Sequence, residues 1–110
     1  MLLNRGKRHT GLISELGTVH NYYEHLVFNE IGSLSERAKV DMNYMADVAC
    51  VALNHLPPRY IRHDVDMSFF LSPAEMAEIE TKVKSAVEKA LAFVSEREQA
   101  RLDVESTDNA

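Results

Sequence analysis

The chain has 110 residues, 12 lysines and arginines against 17 aspartates and glutamates, a net charge of −5 and one cysteine. That length suits one domain with its own core, the lone Cys50 excludes an intramolecular disulfide, and the acidic balance argues against non-specific nucleic-acid binding. No apolar run approaches the ~18 residues that span a bilayer or has the layout of a signal peptide, so the expectation is a soluble cytoplasmic protein with no membrane partner.

Residues 1–17 are polar and contain Gly6, Gly11 and Gly17. They read as a flexible basic arm, with Arg5, Lys7 and Arg8 in the first ten residues and no acid among them. Thr18 stands where a helix N-cap is expected. Val19, Tyr22, Tyr23, Leu26, Val27 and Ile31 then recur at helical spacing, and Gly32 is placed to stop the helix. On a helix, Tyr22 and Tyr23 lie about 100° apart, so the two cannot both face the core centre. One of them meets solvent, a partner or a purine.

A second helix can start at Glu36 under a Ser35 cap, or later under an Asp41 cap. Val40, Met45, Val48, Ala49, Ala52, Leu53 and Leu56 form its apolar stripe, and Ala46, Cys50 and Val51 widen it. This should be the most buried helix, with Cys50 an inert core thiol. From Tyr60 to Leu71, Ile61, Val65, Met67, Phe69 and Leu71 alternate with mostly polar residues, the period of a short strand. One strand cannot satisfy its own ladder, so it pairs within the chain or across a homodimer. Ser72-Pro73-Ala74-Glu75 has the form of a capping box that opens a third helix. Met76, Ile79, Val83, Val87, Ala90, Leu91 and Val94 line one face of it, and Glu78–Lys82 and Glu80–Lys84 are spaced to pair on another. The expectation is a mainly α domain over residues 18–101, of three helices and a short extended segment, followed by a disordered acidic tail at 102–110.

The most informative stretch joins the second helix to the extended segment: Ala52-Leu53-Asn54-His55-Leu56-Pro57-Pro58-Arg59-Tyr60-Ile61-Arg62-His63. Two prolines fix their own φ near −65° and bias the residues before them away from the α region. A stiff corner results, which has little ordering entropy left to lose on binding. Asn54 can satisfy unpaired backbone groups at that turn or contact a ligand.

The run Asp47-Val48, Ala52-Leu53-Asn54 and Leu56-Pro57-Pro58-Arg59-Tyr60 resembles the signature of the ComFB-type late competence family. Asn21-Tyr22-Tyr23-Glu24-His25-Leu26-Val27 is similar to that family's N-terminal Asn-x-x-Glu-x-x-Val helix, and the resemblance covers roughly residues 19–72. It implies a small, non-enzymatic, dimeric protein, with cyclic dinucleotides such as cyclic di-GMP among the family's ligands. Some ComFB-type proteins carry cysteines ahead of the Ala-Leu-Asn element, which suggests a structural metal. This chain has only Cys50, so that feature does not carry over.

The corner's chemistry suits a cyclic dinucleotide with its two phosphates and two purines. Arginine pairs with phosphate or with a guanine edge, and tyrosine or arginine stacks on a base. The candidate ligand-binding residues are therefore Arg59, Tyr60, Arg62 and His63, with Asn54, Tyr22 and the arm residues Arg5 and Arg8. The bland alternative is a Tyr60 packed in the core and arginines that merely solvate the corner. The partners expected are a second copy, the cyclic dinucleotide and a signalling protein. The competing reading is an interaction module with no small ligand.

No catalytic residues and no cofactor are expected. Glycine-rich phosphate loops, Gly-x-Ser-x-Gly elbows and Cys/His nucleophile arrangements are absent from the sequence. His20 and His25 would sit about 140° apart on a helix, a poor metal pair. His63-Asp64 with Asp66 lacks the further ligands that a metal-dependent phosphohydrolase needs.

Overall fold

A computed structural model describes residues 15–108. The elements in chain order are β1 (His20–Asn21), α1 (Tyr23–Leu34), α2 (Glu36–Val40), α3 (Met42–Asn54), β2 (Tyr60–Ile61), α4 (Val65–Phe70) and α5 (Pro73–Asp108). The mainly α class holds, with five helices among the described residues where three were expected.

The capping alternatives for the second helix both occur. Ser35 adopts an extended conformation and its hydroxyl accepts the Ala38 N–H, opening α2. Asp41 is also extended, and its carboxylate accepts the Tyr44 N–H, opening α3. Two good caps six residues apart break one expected helix into two. Gly32, expected to end α1, lies inside it. The helix runs on to Leu34 because the extended break falls at Ser35.

α5 is the spine. Its 36 residues would span about 54 Å at 1.5 Å per residue, close to the 56 Å long dimension of the molecule. The capping box forms as expected: the Glu75 N–H donates to Ser72 Oγ at 3.1 Å, and the Ser72 N–H donates to Glu75 Oε1 at 2.9 Å. Ile79, Val83, Val87, Ala90 and Val94 are buried on the predicted face. Against them pack Val27 and Ile31 of α1 and Tyr44, Val48, Ala49 and Ala52 of α3. Among the described residues, Glu78–Lys82 and Glu80–Lys84 form no ion pair, and the α5 carboxylate that does is Glu98, with Arg37. The acidic stretch after Leu102, expected to lie outside the helix, continues it to Asp108. Gln99 donates to Asp103 there, and the Thr107 hydroxyl to the Asp103 carbonyl.

Two further expectations change. Cys50 is exposed, because it falls beside the Val48–Ala49–Ala52 stripe and lines a groove between α3 and α5. The alternating segment 60–71 is a strand only at Tyr60–Ile61, which pairs antiparallel with His20–Asn21 of the same chain. Past Ile61 the antiparallel ladder would run onto Val19, which lies before β1, so beyond Ile61 the backbone must meet its own hydrogen-bonding needs. It turns into α4, with Asp66 N–H donating to His63 O and Leu71 N–H to Met67 O. The orphan strand that hinted at dimerisation thus has its partner within the chain. Among the described residues, no helix is long and apolar enough to cross a membrane.

Candidate functional site

The corner begins where α3 ends. The His55 ring Nδ1–H donates to the Val51 carbonyl at 2.8 Å, and the His55 and Leu56 N–H groups reach Ala52 O and Leu53 O. The imidazole of His55 thus does the capping expected of Asn54. Asn54 is exposed, its Nδ2 3.8 Å from Cys50 Sγ. Leu56 anchors the turn in the core, and Pro57 and Pro58 carry the chain outward.

Asn21 holds the corner in place. It is the buried polar residue of the described chain. Its Oδ1 accepts from the Tyr23 N–H at 3.2 Å and from the Arg59 N–H at 3.1 Å. Tyr22 N–H returns a bond to the Arg59 carbonyl at 2.7 Å. One side chain therefore serves the first turn of α1 and the residue after Pro58, which explains why an asparagine stands there. Sequence reasoning placed Asn21 on a helix and missed this role. Its neighbourhood to the corner is a long-range pairing that local pattern does not reveal.

Around this clamp, Arg59 and Tyr60 are exposed, Tyr60 at 68%. The Tyr60 ring is therefore not packed in the core. The Arg59 guanidinium forms no ion pair among the described residues. It lies near enough to Tyr22 and Glu75 to act on their titration. Glu75 is held below the usual carboxylate range, first by the Ser72 backbone N–H and hydroxyl and also by the Arg59 charge.

Arg62 is committed elsewhere. Its Nε donates to Thr18 Oγ1 at 3.0 Å and its Nη2 lies 3.3 Å from Glu15 Oε2. His63 is exposed at the start of the turn into α4. Tyr22 and Tyr23 are both buried, at 5% each. Tyr22 precedes α1 but keeps helical backbone angles, so the two rings do leave the backbone in different directions. Both are buried because Tyr22 is covered by the corner, whose Arg59 carbonyl accepts its N–H. Tyr22 lies under the corner, its phenol pushed up by burial first and then by the Asp64 charge. Arg5 and Arg8 lie outside the described residues.

A second constellation adjoins the corner. His20 Nε2 is 2.7 Å from Asp64 Oδ1, and His25 Nδ1 is 3.7 Å from Asp64 Oδ2. The histidines meet one carboxylate because His20 belongs to β1 and not to a helix. Among the described residues, no group of three or more His, Cys, Asp or Glu side chains is arranged to hold a metal ion.

Concave surfaces flank the corner without including Arg59 or Tyr60. A groove of about 470 Å³ runs beside Leu56 and Pro57, lined also by His55, Lys82, Ser85 and Lys89. Another, of about 480 Å³, separates α1 from α5. What the corner offers is a rigid backbone with exposed polar and aromatic groups.

The family model of the late competence development protein ComFB matches residues 20–98. The chain belongs to the ComFB family. The match opens at His20 in β1 and closes at Glu98, so both strands, the proline corner, the Asp64 cluster and the Arg37–Glu98 contact all fall inside it. The basic residues Arg5 and Arg8 fall outside. No curated protein and no solved structure matches the chain. Membership in this ComFB family points to a regulatory role connected with late competence.

Proposed function

We propose that this chain is a non-catalytic cytoplasmic receptor for a cyclic dinucleotide, cyclic di-GMP foremost, that signals to a protein partner in competence regulation. The observation that carries the reading is the presentation of Arg59 and Tyr60. Their backbone is clamped by Asn21 and the β1–β2 ladder, while both side chains stand exposed. A guanidinium without an ion pair among the described residues suits a phosphate or a guanine edge, and an exposed phenol ring suits a purine face. Arg62 contributes indirectly, through the turn it fastens. A homodimer would present two corners to a ligand that is itself two-fold.

The melting temperature with cyclic di-GMP, cyclic di-AMP and GTP tests this. At a ligand concentration 100 times Kd, linkage gives about 2.7 kcal/mol, several degrees for a domain of this size. Replacing Tyr60 by Ala should weaken binding by about 1–3 kcal/mol, the usual worth of a base–aromatic stack. Unchanged affinity in both Arg59→Ala and Tyr60→Ala rejects the corner as the site.

A second reading, a protein-interaction module without a small ligand, draws on α4. Phe69 and Phe70 are 80% and 76% exposed there, with Val65 at 62%. No thermal shift with any nucleotide at millimolar concentration would favour it.

A further inference from the structure

His20 faces two acceptors at once. Its Nδ1 lies 2.7 Å from the Thr18 carbonyl oxygen and its Nε2 lies 2.7 Å from Asp64 Oδ1. A carbonyl oxygen and an ionised carboxylate can only accept, and a neutral imidazole carries one N–H. With Asp64 ionised, both contacts are hydrogen bonds together only when the ring is an imidazolium. The partners therefore define the protonation state that the geometry requires.

The remaining groups around the cluster come from each element that packs on it. From α1, His25 brings a ring Nδ1 that is shut off from solvent, lacks a hydrogen bond and points at the other Asp64 oxygen. Glu24, also on α1, adds a negative charge that favours the His20 cation. Tyr22 lies beneath, with Tyr23 and Arg59 acting on its phenol in opposite directions. On the outer side, Arg62 reaches the hydroxyl of Thr18, the same residue whose carbonyl takes His20. Of the residues bonded to His20, Asp64 alone comes from the segment that follows the proline corner, and it stands immediately before α4, its carboxylate free of any capping bond to that helix.

We propose that His20 is a proton-operated latch, its imidazolium fastening Asp64, and with it the Arg59–Asp64 corner and α4, onto β1 and α1. When the ring loses its proton, one of its two bonds is lost and the corner loosens. The consequence for ligand affinity rests on the receptor reading above; the latch itself does not.

The direction of the pH effect follows from the contacts. The Thr18 carbonyl first, and Asp64 after it, hold His20 above its ordinary value of 6.5. A folded value above the unfolded one gives a contribution that is complete below the unfolded value. It is lost as pH rises through the folded value.

The test uses the full chain without ligand. Histidine ring signals are titrated by NMR, and amide-exchange protection of residues 60–70, corrected for intrinsic rates, is followed over the same pH range. The parent is compared with Asp64→Asn and His20→Gln. The parent should lose protection across this segment as His20 deprotonates. Asp64→Asn should lower the His20 titration point, and both variants should show low, pH-flat protection. An unmoved His20 titration in Asp64→Asn, or unchanged protection of residues 60–70 in His20→Gln, overturns the latch. Cyclic di-GMP binding is then measured separately. Absent binding with a working latch counts against the receptor reading alone, and intact binding with flat exchange counts against the latch alone.

Discussion

Arg37 and Glu98, 61 positions apart, meet through two parallel hydrogen bonds of 2.9 and 2.7 Å. The same guanidinium lies 3.9 Å over the Tyr44 ring. One arginine at the start of α2 thereby joins α3 to the far part of α5. A forked pair of this kind needs arginine, since lysine cannot supply two parallel donors.

The first prediction is a loss of stability on the acid side. The Arg37 guanidinium holds the Glu98 carboxyl below its ordinary value. A folded value below the unfolded one gives stability that is present above the unfolded carboxylate range and lost as pH falls through the folded value. Thermal unfolding from pH 7 down to pH 3 should therefore be less pH-dependent in Glu98→Gln than in the parent. Arg37→Ala should cost more than Glu98→Gln at neutral pH, because it also vacates the Tyr44 face. Equal melting temperatures for the two variants would disprove the ranking.

Asn21→Ala should destabilise by about 2 kcal/mol in urea unfolding, since the Tyr23 and Arg59 N–H groups lose their acceptor. Asn21→Asp keeps an acceptor oxygen and should cost less. An alanine variant as stable as the parent would mean that water replaces the clamp.

Gly32→Ala should stabilise. Gly32 lies inside α1 without a positive φ, and a Cβ there meets nothing within 4 Å. Alanine's helix propensity then adds about 0.5–1 kcal/mol. A lower midpoint in chemical denaturation would contradict the open space around this position.

Core and surface apolar positions should separate cleanly. Ile31 is 0% exposed, so Ile31→Ala should cost about 2–5 kcal/mol. Phe69 is 80% exposed, so Phe69→Ala should stay within about 0.5 kcal/mol. A large cost at Phe69 in dilute solution would reveal that another molecule covers α4.

Much of the helical frame was legible because its signals are local. Ser72 and Glu75 stand three residues apart and form the cap that their spacing announces. The face from Ile79 to Val94 repeats at helical period. Ser35 and Asp41 were each readable as caps, although that both would act was not. The β1–β2 pairing was not legible, since nothing in two residues such as His20-Asn21 marks a strand, and its partner is roughly forty positions away. That omission carried two other errors with it. It put His20 on a helix, apart from His25, and left Asn21 without its task. At the candidate site, the residue types were readable from Pro57 to His63, but the division of labour between Arg59 and Arg62 was not. It depends on where the Thr18 turn comes to rest.

The burial of the aromatic residues has an optical consequence. The chain has no tryptophan and four tyrosines. Tyr22, Tyr23 and Tyr44 are 5–7% exposed, and Tyr60 is 68% exposed. Quenchable tyrosine emission, and nitration by a water-soluble reagent, should therefore arise almost wholly from one ring at the proline corner. The protein carries its own fluorophore at the place where a ligand is proposed to bind, and occupancy can be read without a label.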